Sequence, residues 1–232
     1  MANFLVIGAS SGIGKSIANQ LAESGHQVFG TYNKSTPTAD YPSIHYTQLD
    51  VMDELPSLDF LPETLSGIVY CPGSINLRPF ERIKPIDFAN DFQLQVIGAI
   101  KIIQAVLPKL KSSGQGAIVL FSTVAVQTGF PYHAQVASSK GAIEGLTKAL
   151  AAEYAPKIRV NAIAPSLTNT PLADSLLNSE QKLEANAMRH PLKRIGSAED
   201  LANMATFLLS DKASWITGQV LHVDGGISSI KL

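Results

Sequence analysis

Two stretches of the 232-residue chain hold side chains whose types and spacing could do chemistry. In FPYHAQVASSKGAIEG, Phe130 to Gly145, His133 precedes Lys140 by seven residues. At about 100° per residue, seven residues return to within roughly 20° of the same helix face, so a helix that begins early enough turns both side chains toward one cleft. A histidine can give or take a proton near neutral pH, and a lysine beside it would depress its pKa through like charge. The competing reading is a loop or cap histidine with a satisfied hydrogen bond. Tyr132 has the phenol chemistry for the same step, but eight residues put it about 80° from Lys140 on an ideal helix. In FLVIGASSGIGKSIANQLAESG, Phe4 to Gly25, the residues Gly8, Gly12 and Gly14 gather where an apolar run meets an amphipathic one. Glycines there let the backbone approach a pyrophosphate, and the following helix offers free N–H groups and a positive dipole end. Ser10, Ser11 and Ile13 belong to the same turn. Glycine also serves tight strand–helix packing, so the turn alone leaves both roles open.

The elements that must carry these residues are legible as short apolar runs alternating with helical periods. NFLVIG, QVFGTY, SGIVYC, GAIVLFS, IRVNAIAP and QVLHVDGG are too short for helices and rich in β-branched residues, as buried parallel strands are. Helical segments are expected from Gly12 to Ser24, Asp87 to Lys111, through Lys140 to Tyr154, and from Ala198 to Ser210. The alternation predicts an α/β fold of one domain, a doubly wound Rossmann-type parallel sheet with helices on both faces. The connection ELPSLDFLPETL, with two prolines, leaves little room for a crossover helix. Leu172 to Arg194 is polar, helix-prone and long enough to form a lid over a cleft.

Composition narrows the function classes. A formal net charge of −1, with 18 Lys and Arg spread along the chain, gives no electrostatic footprint for nucleic acid or an anionic membrane. Cys71 is the single cysteine, which rules out an internal disulfide and suits a cytoplasmic location. No apolar stretch reaches the length of a membrane span. The five histidines, His26, His45, His133, His190 and His222, show no paired metal-ligand spacing, so no metal site is expected. A lone cysteine reads as a small buried hydrophobe, and the absence of G-x-S-x-G speaks against a hydrolase.

The pattern G-A-S-S-G-I-G resembles the glycine motif of the short-chain dehydrogenase/reductase family, and further matches follow in family order. They are Asp50 with Val51 in LDVMD; RVNAIAPSLTNTPL, with Pro165, Thr168 and Thr170; and PLKRIGSAEDLANMATFLLSDKASWITGQVLHVDGG near the end. The resemblance implies a nicotinamide dinucleotide on the glycine turn and Lys140 on its ribose. Gly73 belongs to the motif after the fourth strand, which reads YCPG from Tyr70 to Gly73 where Asn-Asn-Ala-Gly is usual. A carboxylate after the second strand would hold the ribose 2′-OH, whereas GTYNKS offers Asn33 and Lys34 and no acid before Asp40, which favours NADP(H) over NAD(H).

Registering Lys140 on the family lysine puts Val136 at the tyrosine position, Thr123 at the serine position and Gln95 at the helix asparagine position. Ile7 stands where the glycine motif usually begins with threonine. Thr123 keeps a hydroxyl, but Val136 cannot exchange a proton. The enoyl reductase branch is similar in placing its active tyrosine and lysine seven apart, a slot that His133 would fill. Three readings follow: an NADP(H)-dependent oxidoreductase of a small carbonyl, alcohol or activated double bond, its proton coming from His133 or a lysine-linked water; a silent dinucleotide-binding sensor or partner subunit; and a lyase or isomerase. The resemblance also implies a homodimer or homotetramer and a small-molecule substrate.

Overall fold

The computed structural model describes residues 1–34, 36–54 and 58–231. The strands are β1 (Asn3–Ile7), β2 (Gln27–Tyr32), β3 (Ile44–Gln48), β4 (Gly67–Tyr70), β5 (Gly116–Phe121), β6 (Ile158–Pro165), β7 (Thr168–Asn169), β8 (Gly196–Ser197) and β9 (Val220–Val223). Seven of them form one sheet in the order β3-β2-β1-β4-β5-β6-β9, every pairing parallel. The chain runs outward from β1 to β3 and then returns to place β4 on the other side of β1. That reversal opens a crevice at the carboxyl ends of the strands, the place where open α/β sheets bind ligands.

Side chains alternate across the sheet as the period of two requires. Leu5, Ile7, Ile68, Tyr70, Ile118 and Leu120 point to the layer that holds Ile102 of α3 (Gly98–Ser112) and Ile143 of α4 (Ala134–Tyr154). Phe4, Val6, Val69 and Val119 point to the opposite layer, with Ile17 of α1 (Gly12–Glu23) and Leu201 of α7 (Ala198–Leu209). Both faces are therefore covered, as the sequence led us to expect.

Three features differ from that expectation or refine it. β3 was not foreseen: in IHYTQ only Ile44 is buried, because this strand closes the sheet edge and presents its polar residues outward. The single helix expected from Asp87 to Lys111 is α2 (Pro85–Phe92), a π turn over Gln93–Ile97, and α3. Tyr70 explains the interruption. Its hydroxyl donates to the Leu94 carbonyl at 2.6 Å, and a Cβ on Gly98 would overlap the Tyr70 oxygen. Between Asp50 and Gly67 no helix forms among the described residues; Leu55, Pro56 and Ser57 of the proline-containing connection lie outside them.

The 172–194 segment contains α5 (Asp174–Leu177) and α6 (Glu180–Arg189), preceded by a short 3₁₀ turn at Pro171–Ala173. Its two ends are joined by the parallel pair β7 and β8, in which Thr168 faces Gly196 and Asn169 faces Ser197. A capping box then starts α7: Ser197 accepts the Asp200 N–H and Asp200 accepts the Ser197 N–H. No helix among the described residues is long and apolar enough to cross a membrane.

Candidate active site

At the end of β1 the backbone turns through Gly8 and Gly12, whose φ angles of 78° and 52° lie in the left-handed region. Gly14 packs against the Gly8 carbonyl so closely that a Cβ there would overlap it. The turn is pinned to β2 by Thr31, whose side chain accepts the Gly8 N–H at 3.1 Å and whose carbonyl accepts the Ala9 N–H at 2.8 Å. Ser11 caps α1 with an extended backbone but makes no side-chain capping bond, leaving the first-turn N–H groups available to a ligand.

These residues wall a groove of about 360 Å³. Gly8, Ser10, Ser11, Gly12, Ile13 and Gly14 line it together with Asn33, Val51, Gly73 and Thr170. Lys34 and Asp50 are not among its lining residues. Lys34 is exposed beyond Asn33, and the Asp50 carboxylate accepts from Asn33 Nδ2 at 3.1 Å and from the Met52 N–H at 2.9 Å. Asp40 is bound to Lys15 at 3.0 Å and to Asn19 at 2.8 Å, so no carboxylate among the described residues lines the groove.

A second cavity of about 300 Å³ meets the first at Ile13, Cys71, Gly73, Thr170 and Leu172. Thr123, His133, Val136, Lys140, Pro165 and Thr168 all line it. Lys140 is buried on α4, and burial pushes its pKa down to about 8, opposed by the nearby Asp91 carboxylate and by Cys71. Asp91 is itself buried on α2, accepting from Gln95 Nε2 at 2.8 Å, from Ser139 Oγ at 2.6 Å and from Ser74 Oγ. The other end of the same amide, Gln95 Oε1, is buried without a hydrogen-bond partner. A Cβ on Gly73 would stand 3.2 Å from that oxygen and 3.8 Å from Lys140 Nζ, so acceptor and cation converge over a residue with no side chain. A buried polar atom left unpaired in this way marks room for a ligand or water.

The proton-bearing candidates fall out differently. α4 begins at Ala134 with His133 as its N-cap, and the His133 ring packs at 5.6 Å against Phe130. His133 Nδ1 lies 2.8 Å from the Pro131 carbonyl, which can only accept, so Nδ1 carries the hydrogen of the neutral ring and Nε2 is its acceptor nitrogen. Thr123 Oγ1 accepts the Ala125 N–H at 3.3 Å and keeps its own hydrogen to donate. Tyr132 has φ of 69°, is exposed and does not line the cavity. Tyr70 is committed to Leu94, and burial raises its pKa above the ordinary phenol value. Burial also pushes the Cys71 thiol up to about 12, which removes it as a nucleophile near neutral pH. Among the described residues no group of three His, Cys, Asp or Glu side chains could hold a metal ion.

Several cavity residues carried no signal in the sequence. His190 is buried on the wall, with Nε2 2.9 Å from Ser166 Oγ and Nδ1 2.9 Å from the Asn186 carbonyl. Leu172, Leu176 and Arg189 of the 172–194 segment line the same cavity. Asp91 reads as an ordinary polar residue of an amphipathic helix until Ser74 and Ser139 are brought to it.

The residues fit a dinucleotide: two joined cavities, a glycine turn with free N–H groups at one end, and the Lys140 ammonium beside an unpaired acceptor at the other. A family model described as Enoyl-(Acyl carrier protein) reductase matches residues 8–228. The chain is 33% identical over 239 residues to the 3-oxoacyl-[acyl-carrier-protein] reductase FabG of Staphylococcus aureus, covering 96% of each chain. Among solved structures, the ligand-free aldohexose dehydrogenase of Thermoplasma acidophilum superposes with a TM-score of 0.91 at 29% identity, covering 100% of this chain and 96% of the other. ElxO with NADP bound superposes with a TM-score of 0.88 at 28% identity, covering 99% of this chain and 100% of the other. Likeness of this extent, carried through the glycine turn, the crevice and the lysine helix, makes the chain a member of the short-chain dehydrogenase/reductase family, an oxidoreductase fold that works with a nicotinamide cofactor.

Proposed function

We propose that the protein is an NADP(H)-dependent oxidoreductase that interconverts a small carbonyl compound and its alcohol, with the proton supplied by His133 because Val136 occupies the family's tyrosine position. The observation that carries this reading is that His133, Thr123 and Lys140 line one cavity around the apolar Val136 side chain. A bound nicotinamide would supply or take the hydride. Gly12, Gly14, Ser11 and Asn33 would hold its phosphate and ribose end, in a groove lined by no carboxylate among the described residues. Lys140 would hold the other ribose, Thr123 would donate its hydroxyl hydrogen to the substrate oxygen, and His133 Nε2 would exchange the proton. The 172–194 segment is read as a substrate lid. FabG and aldohexose dehydrogenase, by their names, act at a carbon–oxygen bond, which favours that over an enoyl double bond.

The test is NADPH oxidation against a carbonyl panel with wild type and His133→Ala. General acid–base catalysis contributes about 10²–10⁴-fold, and a loss of that size in kcat with NADPH affinity intact is expected. An unchanged kcat in His133→Ala would remove His133 from the mechanism. Val136 also favours a second reading, a silent dinucleotide binder. That reading expects tight NADPH binding without turnover on any substrate and is refuted by turnover that disappears in Lys140→Met.

A further inference from the structure

We propose that Ser166 and His190 form a recognition point for a hydroxyl group borne by the substrate beyond its reacting carbonyl, so that the preferred substrates are hydroxy-carbonyl compounds. This rests on reading the 300 Å³ cavity as the substrate's. The Asn186 main-chain oxygen, 2.9 Å from His190 Nδ1, can only accept, so Nδ1 carries the imidazole hydrogen. In the neutral ring Nε2 is then an acceptor, and its partner at 2.9 Å is the Ser166 hydroxyl. Ser166 has one hydrogen and it is committed to His190. What the Ser166 oxygen turns to the cavity is a pair of acceptor sites.

The surroundings keep it so. His190 is 3% exposed, which shields Nε2 from competing water. Its ring packs over Gly225, where a Cβ would lie 3.5 Å away. Ser166 follows Pro165, the last residue of β6, so its backbone is held by the sheet. Thr123, on the same cavity wall, has the opposite polarity, since its oxygen takes the Ala125 N–H and its hydrogen is free. One cavity thus offers a donor at Thr123 and an acceptor at Ser166. A plain ketone satisfies only the first, while a hydroxy-ketone satisfies both.

The test compares direct binding of 3-hydroxybutan-2-one and butan-2-one to the NADPH-loaded full chain by ligand-observed NMR, with NADPH oxidation followed on the same samples. Wild type should bind the hydroxy-ketone about 2–12-fold more tightly, the range one net hydrogen bond supplies. Ser166→Ala should bring that ratio to about one without weakening butan-2-one. His190→Asn, which can still donate to the Asn186 carbonyl but lacks the Nε2 acceptor, should lower the ratio too, guarding against a folding defect in the first variant. A wild-type ratio of one, or a Ser166→Ala variant that folds and loses both ligands equally, overturns the proposal and leaves the pair as a structural tie. A selective ratio without turnover sinks the oxidoreductase reading and keeps the recognition point; turnover with a ratio of one does the reverse.

Discussion

Replacing Lys140 with methionine should make the protein more stable, by an amount set by pH. Lys140 falls from the ordinary lysine value of 10.5 to about 8 because burial disfavours its ammonium. At about 1.4 kcal/mol for each tenfold change, that displacement is worth ~3 kcal/mol against folding while the lysine is charged. The unfolded chain holds the proton more tightly, so it binds more protons than the native state between pH 8 and 10.5, and native stability rises with pH across that window. Below pH 8 the penalty is fully present. Methionine removes it while filling similar volume, and Asp91 keeps its donors Ser74, Ser139 and Gln95 in the variant. Urea unfolding should therefore show Lys140→Met more stable by ~3 kcal/mol at pH 7 and by about half of that or less at pH 9.5. In thermal melts the pH 7 gain corresponds to roughly 6–12 °C for a chain of this size. A variant no more stable than wild type at pH 7, or a gap that does not narrow with pH, refutes the reasoning. Confirmation would mean that the site keeps a charge the fold alone would reject.

The other expectations follow from single contacts. Asp91→Asn leaves too few acceptors for three donors and removes the anion that favours the Lys140 ammonium; unfolding should cost about 1–3 kcal/mol less, and any Lys140-dependent midpoint in NADPH binding should move to lower pH. A midpoint that stays put or rises would show that Asp91 does not act on the lysine. Gly98→Ala drives a methyl into the Tyr70 hydroxyl and should destabilise by about 1–3 kcal/mol in urea melts, whereas an unchanged midpoint would mean that the π turn absorbs the methyl. Gly14→Ala puts a Cβ into the Gly8 carbonyl, and calorimetry should find NADPH binding lost with secondary structure retained by circular dichroism; normal affinity would disconnect the glycine turn from the cofactor.

The sequence made the sheet interior legible because a strand buried on both faces is apolar throughout, as GAIVLF and GIVY are. It hid β3 for the converse reason: an edge strand with one buried residue, Ile44, has the composition of a loop. The glycine turn and the seven-residue interval from His133 to Lys140 stand out as local spacings, whereas Thr123 is picked out only by the register of the family resemblance. Asp91, Ser166 and His190 were not readable, since their chemistry exists only between elements far apart in the chain. Asp91 meets Ser139 across 48 residues, and Ser166 meets His190 across 24. The π turn at Gln93–Ile97 was equally unreadable, because its cause is the Tyr70 hydroxyl from another strand.

The short β7–β8 pair has a consequence for how this chain can change. By joining Thr168 to Gly196 and Asn169 to Ser197, it brings both ends of the 172–194 segment to one point on the scaffold. A stretch tied at its base behaves as an exchangeable cassette: doubling its length adds only about 0.6 kcal/mol of closure cost, and neither β6 nor α7 need move to accept it. Grafting a segment of different length and side chains in place of residues 173–194 is thus a route to a new cavity lining that keeps Thr170, Pro171 and Leu172 on the groove beside the glycine turn.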